Sequence, residues 1–489
     1  MTDRIVAAVR RNAYVDSVTL LQVSAEMVSL AGVLDAALVM ASELNRQLLS
    51  DSGLLVGEAD SAGPNDLVIA VRAADDSVAA AALQQADALL TNRRRSAGSS
   101  GEPSSSPPRS LRSAHRADPE ATLALVSVPG PYAAGEARQA LADGLHVFLF
   151  SDNVSIEDEI DLKRFARGQQ LLMMGPDCGT AILNGVGLGF ANGVRRGRIG
   201  LIGASGTGIQ EVSSLLHQAG EGISHAIGTG GRDLYAAVGG ITTLQALDLL
   251  RGDPLTRTIV LVAKPSAPEV AERVLNKAAQ TGKSVVACLL GADLQPPSGV
   301  QLAHNLYQAA RLAASAESNW TGVAPSDLPR ARFRAEQHQV RGLFCGGTLC
   351  EEAAAAMGRS AEHQFIDFGD DEYTRGRAHP MIDPTLRNRA IVEAGADPRV
   401  AVLLLDVILG LGSHPDPAGA TVPAIREAQA QASADGRELV VLAHVVGTDL
   451  DPQGLARQES TLRHAGVHVL ASNYHAAVAA SLLVEGVTA

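Results

Sequence analysis

The chain has 489 residues, 46% of them hydrophobic, 19% charged and only 3% aromatic, and a net charge of −13. This acidity excludes a nucleic-acid surface, which needs clustered lysine and arginine, and no uninterrupted apolar run reaches the roughly 18 residues of a membrane span. Four cysteines without a CxxC pair exclude a disulfide framework, and charge interrupts the opening MTDRIVAAVRR where a secretory leader would be apolar, so a cytoplasmic protein with reduced thiols is expected.

At roughly 100–200 residues per domain, the length predicts about three or four domains. Abundant alanine and 48 glycines suit helices lying close on parallel sheets. Residues 1–92 read as a first α/β unit, with Val18–Val23 and Leu67–Val71 as buried strands and Asp75–Leu90 as a helix. Residues 93–118 contain RRRSAGSSGEPSSSPPRSLRS, which has no apolar period and predicts a flexible linker. No aromatics interleave its arginines, as a single-strand nucleic-acid reader would require.

Strand and helix patterns alternate from there on. In 119–196, strands are expected at Leu123–Val128, His146–Phe150 and Leu171–Met174, around helices Ala133–Asp143 and Asp158–Gly168. In 197–320, strands at Arg198–Ile202, Ser224–Gly228, Thr258–Val262 and Ser284–Leu289 enclose helices Gly208–Gln218, Thr242–Arg251 and Pro268–Thr281. After a looser stretch at 314–339, residues 340–489 repeat the rhythm. Strands Gly342–Phe344, Gln364–Asp367, Ala401–Asp406, Leu439–His444 and Val467–Leu470 are separated by helices such as Thr348–Met357, Thr421–Ala434 and Pro452–Ala465. Such alternation predicts a multidomain α/β protein of doubly wound parallel sheets.

Four segments carry chemistry. In GLIGASGTGIQE (200–211) a strand enters a Gly/Ser/Thr turn and then a helix, whose start offers free N–H groups and a partial charge of about +0.5. Ser205, Gly206, Thr207 and Gly208 are candidate phosphate ligands, with Glu211 on the following turn; an ordinary N-capped helix reads equally well. In LDVILGLGSHPDP (405–417) a buried strand ends in Gly410, Gly412 and Ser413, a second candidate anion turn. There His414 and Asp416 are candidates to orient substrate or move a proton, or are simply turn residues. GPDCGT (175–180) offers Cys178 as a nucleophile or, more simply, a buried thiol. The polar run 367–383 supplies Arg375, Arg377 and His379, arginines being suited to a substrate carboxylate, and a solvated loop is the alternative. No metal site is expected.

These residues carry a family resemblance. GPDC (175–178) and IGASGTGIQE (202–211) resemble the GPNC-type turn and phosphate-facing helix start of the succinyl-CoA synthetase α subunit, across residues 119 to about 320. Residues 342–489 resemble the carboxy-terminal domain of that enzyme's β subunit, with Asp406–Gly412 standing at the turn before its second phosphate-facing helix. With GEA (57–59), GPND (63–66), HPMID (379–383) and GSHPDP (412–417), nearly the whole chain resembles the FdrA family. The resemblance implies a Rossmann-like domain at 119–196 and flavodoxin-like domains at 197–320 and 340–489. It also implies two helix starts, at 205–208 and 410–414, converging on one phosphate.

Two departures limit the carry-over. The α-subunit family has a phosphohistidine loop where this sequence reads GADLQPP (291–297), without histidine, and no stretch has room for an ATP-grasp domain. This chain alone is therefore expected to bind neither ATP nor CoA tightly, and to need no cofactor of its own beyond phosphate as substrate. The FdrA resemblance implies the large subunit of an oxamate carbamoyltransferase in allantoin degradation. Such a subunit works in a hetero-oligomer with co-encoded carbamoyltransferase subunits. The alternatives are an NDP-forming acyl-CoA synthetase subunit, using CoA and nucleotide sites of a partner, and a non-catalytic assembly subunit.

Overall fold

A computed structural model describes residues 4–15, 17–28, 30–97, 108, 110–292, 294–315, 331–358, 362–374 and 377–485. The chain divides into two compact units, Met1–Arg109 with Thr374–Ala378, and Ser110–Tyr373 with His379–Ala489. No helix among the described residues is long and apolar enough to cross a membrane.

The first unit runs β1 (Arg4–Arg10), α1 (Ser17–Val28), β2 (Val33–Met40), α2 (Glu43–Asp51), β3 (Leu67–Ala73) and α3 (Asp76–Ala97). Its sheet, in the order β1-β3-β2, is antiparallel throughout, not parallel. The expected strand Val18–Val23 lies inside helix α1. A short apolar run does not distinguish strand from buried helix. Leu20, Val23 and Met27, spaced three and four apart, bury one helical stripe against the sheet. Asp66, nearly buried, ties the turn after β1 to its own loop by accepting from the Asn12 and Gly63 amides, both at 2.9 Å, and from Arg11 at 2.8 Å. Within the expected linker, α3 reaches Ala97 and α4 (Leu111–Ala117) occupies the far end; residues 98–107 lie outside the described set.

The second unit contains three sheets. The smallest, β4 (Leu123–Val126), β5 (His146–Leu149) and β6 (Met173–Met174), is parallel, with α5 (Gly130–Ala142) and α6 (Ile156–Gly168) connecting its strands. Next come the antiparallel β7 (Thr180–Leu183) and β8 (Val186–Gly189), which join the following sheet although they fall within the 119–196 range. That sheet continues with β9 (Arg196–Ala204), α7 (Gly206–Gln218), β10 (Ile223–Gly228), α8 (Ile241–Gly252), β11 (Thr258–Ala263), α9 (Pro268–Ala279), β12 (Ser284–Leu289), β13 (Val300–Leu302) and α10 (Leu306–Ala313). Its parallel part has the order β10-β9-β11-β12-β13.

The last sheet repeats this plan. It comprises β14 (Gln339–Phe344), α11 (Gly347–Ala356), β15 (Gln364–Asp367), α12 (Asp371–Thr374), α13 (Thr385–Ala396), β16 (Val400–Ile408), α14 (Pro417–Ala434), β17 (Val440–Val446), α15 (Leu455–His464), β18 (His468–Leu470) and α16 (Asn473–Val484). The order is β15-β14-β16-β17-β18, all parallel. Both parallel arrays therefore have the flavodoxin-like order 2-1-3-4-5. Their central strands are apolar and buried on both faces, as parallel strands covered by helices require; β16 is buried at every residue.

Two of the cations buried in this unit are paired across elements. Lys163 on α6, fully buried, reaches Glu159 at 2.8 Å, Asp233 at 2.7 Å and the Thr229 carbonyl at 2.9 Å, fastening the smallest sheet's helix to the loop after β10. Arg387 on α13 reaches the Asp406 carboxylate of β16 at 3.0 Å and its carbonyl at 2.7 Å.

Candidate functional site

In an open parallel sheet, ligands bind beyond the strand ends where strand order reverses. In both arrays that point lies at the start of the first helix. After β9, Ser205 is extended (φ −164°, ψ 113°) and its Oγ accepts from the Gly208 amide at 2.8 Å. The Gly206 and Thr207 amides then have no acceptor within the helix. Gly208 is there for packing, since a Cβ would lie 2.5 Å from Ser205 Oγ and 2.7 Å from Val262 Cγ1. After β14, Gly346 caps α11, leaving the Gly347 and Thr348 amides similarly without a helical acceptor.

The two starts meet. Ser205 Oγ and Thr348 Oγ1, both buried, share a hydrogen bond of 2.5 Å. A Cβ on Gly346 would lie 3.0 Å from the Thr207 side chain. Each N-cap thus faces the second residue of the opposite helix, an approximate two-fold arrangement of Ser205-Gly-Thr207 and Gly346-Gly-Thr348. Ser205 is therefore a cap and a tie between helices, while Gly206, Thr207 and Gly347 are the partly exposed residues of the pair. Thr180 Oγ1, buried and without a hydrogen-bond partner among the described residues, lies 3.6 Å from where a Gly206 Cβ would be.

Side chains from three further loops complete the site. Lys264, after β11, places Nζ 3.9 Å from Asp367 Oδ2 at the end of β15. Both stand over the Gly347 backbone, where any Cβ would collide with them. Burial pushes the Asp367 carboxyl up to about 6, against the opposing pull of Lys264 and of the Gly369 amide, which donates to Oδ1 at 2.9 Å. Asp177, in the turn after β6, reaches solvent, but crowding by protein and then Asp152 push its carboxyl up to about 7. His379 packs at a tilt against Phe190, ring centres 5.6 Å apart, and accepts from the Met381 amide through Nδ1 at 3.2 Å. Burial holds its imidazolium down to about 4, so the ring is neutral near pH 7 and carries its proton on Nε2, which lies against Gly369.

Behind the pair, Glu211 and Glu352 sit six residues after their respective N-caps, both buried. Glu211 accepts from His444 Nε2 at 2.8 Å and the Asn473 amide at 3.3 Å. Glu352 accepts from Asn473 Nδ2 at 2.7 Å and the Leu306 amide at 2.6 Å. Burial, and then Glu211, push Glu352 up to about 7. Burial alone would lower the His444 imidazolium, but Glu211 more than offsets it and leaves it raised. Glu211 therefore braces the helices from below and does not face the crevice.

The turn at 410–414 is not the partner of the 205–208 turn. It meets α7 one turn further on, where Gln210 Nε2 donates to the Leu409 carbonyl at 3.2 Å. Its amides are largely committed: Gly410 to Gln453 Oε1 at 3.2 Å, Leu411 to the Ala191 carbonyl at 2.9 Å, His414 to the Met381 carbonyl at 2.7 Å. Gly410 (φ 120°) and Gly412 (φ 71°) hold left-handed turns against Phe190 and Ala191, and Ser413 Oγ is buried without a hydrogen-bond partner among the described residues. His414 Nδ1 accepts from the Asp416 amide at 3.0 Å, and burial lowers its imidazolium. Asp416 caps α14 and accepts from Gln458 at 2.8 Å.

Asp406, which the resemblance placed before the second phosphate-facing helix, instead accepts from the Cys345 and Gly346 amides at 2.8 Å each. It fixes the start of α11 from the neighbouring strand. Cys178 is buried, bonded to the Thr180 carbonyl at 3.7 Å, with its thiol pushed up to about 12 by burial, so it is a packing residue. Arg377 is exposed and belongs to the other compact unit, and Arg375 lies outside the described residues. Sequence reasoning missed Gly346, Gly347, Thr348, Lys264 and Asp367. The signal was present in GGTLCEE (346–352), which echoes SGTGIQE (205–211) in its Gly-Thr pair and its glutamate.

Three family models match the chain: "AllF, heavy metal-associated domain" over residues 1–107, "CoA binding domain" over 194–290, and "CoA-ligase" over 343–483. The uncharacterized protein YahF of Escherichia coli is 42% identical over 501 residues, covering 95% of each chain. The succinate–CoA ligase [ADP-forming] α subunit of Aquifex aeolicus is 27% identical over 190 residues, covering 38% of this chain and 60% of its own length. Among solved structures, the dinucleotide-forming acetyl-coenzyme A synthetase 1 of Ca. Korarchaeum cryptofilum aligns over 75% of this chain and 83% of its own, at 16% identity and a TM-score of 0.33. ATP citrate lyase of Methanothrix soehngenii aligns over 59% and 56%, at 14% identity and a TM-score of 0.34.

The first model's description names heavy metals, but residues 1–107 contain neither cysteine nor histidine. Soft metals need thiolate or imidazole donors, so the residues present do not fit such an ion. Matched along nearly its whole length, the chain belongs to the family of YahF, an FdrA-like family that joins an AllF-type amino-terminal domain to succinyl-CoA synthetase-like domains of the CoA-ligase superfamily.

Proposed function

We propose that the paired helix starts hold inorganic phosphate and that the chain catalyses phosphorolytic transfer of an acyl or carbamoyl group. In this reading it is a subunit of an oxamate carbamoyltransferase, converting oxalurate and phosphate to oxamate and carbamoyl phosphate together with co-encoded subunits. The observation that carries the proposal is the meeting of α7 and α11 at their amino termini, Ser205 against Thr348 and Thr207 against Gly346. Two positive dipole ends facing each other repel unless an anion lies between them. With a net charge of −13 there is no general field to draw an anion in, so local donors must do so. The Gly206, Thr207 and Gly347 amides, the Thr207 hydroxyl and Lys264 are those donors. Holding phosphate beside the carbonyl replaces a bimolecular encounter by an oriented one, and unpaired amides stabilise the developing oxyanion.

The second reading, an acyl-CoA synthetase subunit, draws support from the CoA-binding and CoA-ligase matches. Against it stands the sequence of the loop after β12, GADLQPP, which offers no histidine to relay a phosphoryl group. The two readings separate in one assay of the chain with its co-encoded partners. Carbamoyl phosphate should form from oxalurate only when phosphate is present, and succinate with CoA and ATP should give no thioester. Thioester formation with no phosphate-dependent product from oxalurate would reverse the assignment.

A further inference from the structure

We propose that Asp367 is the general acid of the transfer and that Lys264, beside it, binds the attacking phosphate; this rests on the phosphorolytic reading above. The two side chains come from different sheets of the second unit, the loop after β11 and the end of β15, and are brought over the first residue of α11. One carboxylate oxygen of Asp367 is fixed by the Gly369 amide at 2.9 Å. The other accepts no hydrogen bond among the described residues, and its nearest cation, Lys264 Nζ, stays 3.9 Å away. Lysine and carboxylate, too close at 3.9 Å for a phosphate to lie between them, converge on the same helix amino terminus. An anion on Lys264 and the Gly347 amide would therefore lie alongside the free oxygen of Asp367, within reach of a proton held there.

The chemistry requires such a donor. A phosphate oxygen bonds to the ureido carbonyl carbon, the carbon–nitrogen bond breaks, and its electron pair stays on the departing amide nitrogen. An amide anion is a very poor leaving group, so the nitrogen must take a proton as the bond breaks. Asp367 gives that proton and recovers one from the hydrogen phosphate, so the carboxyl ends as it began. Burial raises the carboxyl to about 6, nearer neutrality than an ordinary aspartate, and suits it to this task. The charged groups around it are Lys264, Asp370 and, from β16, Asp406, with the α11 amino terminus in front and neutral His379 behind Gly369.

Asp367→Asn keeps the shape and removes the proton. In the assembled complex it should lower phosphorolysis of oxalurate by about 10²–10⁴-fold. Wild-type kcat should fall as pH rises through about 6 in that complex, and the variant should lose this limb. A carbamoyl donor with a phenolate leaving group, 4-nitrophenyl carbamate, needs no proton, so the variant should turn it over at near the wild-type rate, whereas Lys264→Ala should be slow on both donors. An Asp367→Asn variant that keeps the pH limb, or is slowed equally on both donors, overturns the assignment while leaving phosphorolysis standing. A wild-type complex that phosphorolyses neither donor overturns both.

Discussion

Arg387→Met should destabilise the second unit by about 3–5 kcal/mol, the effect of removing one partner of a buried ion pair. Arg387 is only 2% exposed and donates to Asp406 and to Thr421 Oγ1 at 3.1 Å. Asp406 has no exposure at all, and burial already pushes its carboxyl up. Without the guanidinium, the Cys345 and Gly346 amides alone would face a buried negative charge. The carboxylate must then take a proton or draw in water, and either change loosens the strand-to-helix turn that aims α11. Urea unfolding followed by circular dichroism should show an earlier midpoint. A loss under about 1 kcal/mol would mean that the pair is better solvated than its burial implies.

Gly206→Asp should lower phosphate-dependent turnover by at least on the order of 10²–10³-fold, the usual range for losing one donor at an oxyanion site. The nearest atoms to a Cβ there, Gly179 Cα and Thr180 Oγ1, are 3.6 Å away, so the side chain fits. A carboxylate in the first turn also suits the helix dipole, so the fold should hold. The same charge would repel the proposed phosphate and occupy its place. Activity of the assembled complex, with circular dichroism as the check on folding, measures the effect. A folded variant at the wild-type rate would contradict it.

The sheets were legible because parallel strands buried on both faces leave continuous apolar runs, as at Thr258–Ala263 and Val400–Ile408. The first unit was harder. RIVAAVR (4–10) and VLDAALVM (33–40) are strands flanked or broken by charge, and Val18–Val23 reads as a strand although Leu20 and Val23, with Met27 beyond, form a helical stripe. One half of the site was readable at Ser205–Gly208, because a Gly/Ser/Thr turn after a strand is a local signal. The other half was not. Gly346-Gly-Thr348 reads as a plain turn before an alanine-rich helix, and its partner lies 143 residues away. Gly410–His414 read as the second anion turn, since sequence does not show that Ala191, Met381 and Gln453 already take its amides. Asp406 looked like an interruption in an apolar strand. Its role appears only once Arg387 and the two amides of another strand close around it.

The central claim is that α7 and α11 hold one phosphate between their amino termini. Titrating inorganic phosphate calorimetrically into the full chain with its co-encoded partners, as wild type and as Gly206→Asp, tests it most directly. The wild type should take up a single phosphate per chain, with heat that saturates, and the variant should take up none while keeping the same circular dichroism spectrum. Equal phosphate uptake by the two would place the anion elsewhere and contradict the account.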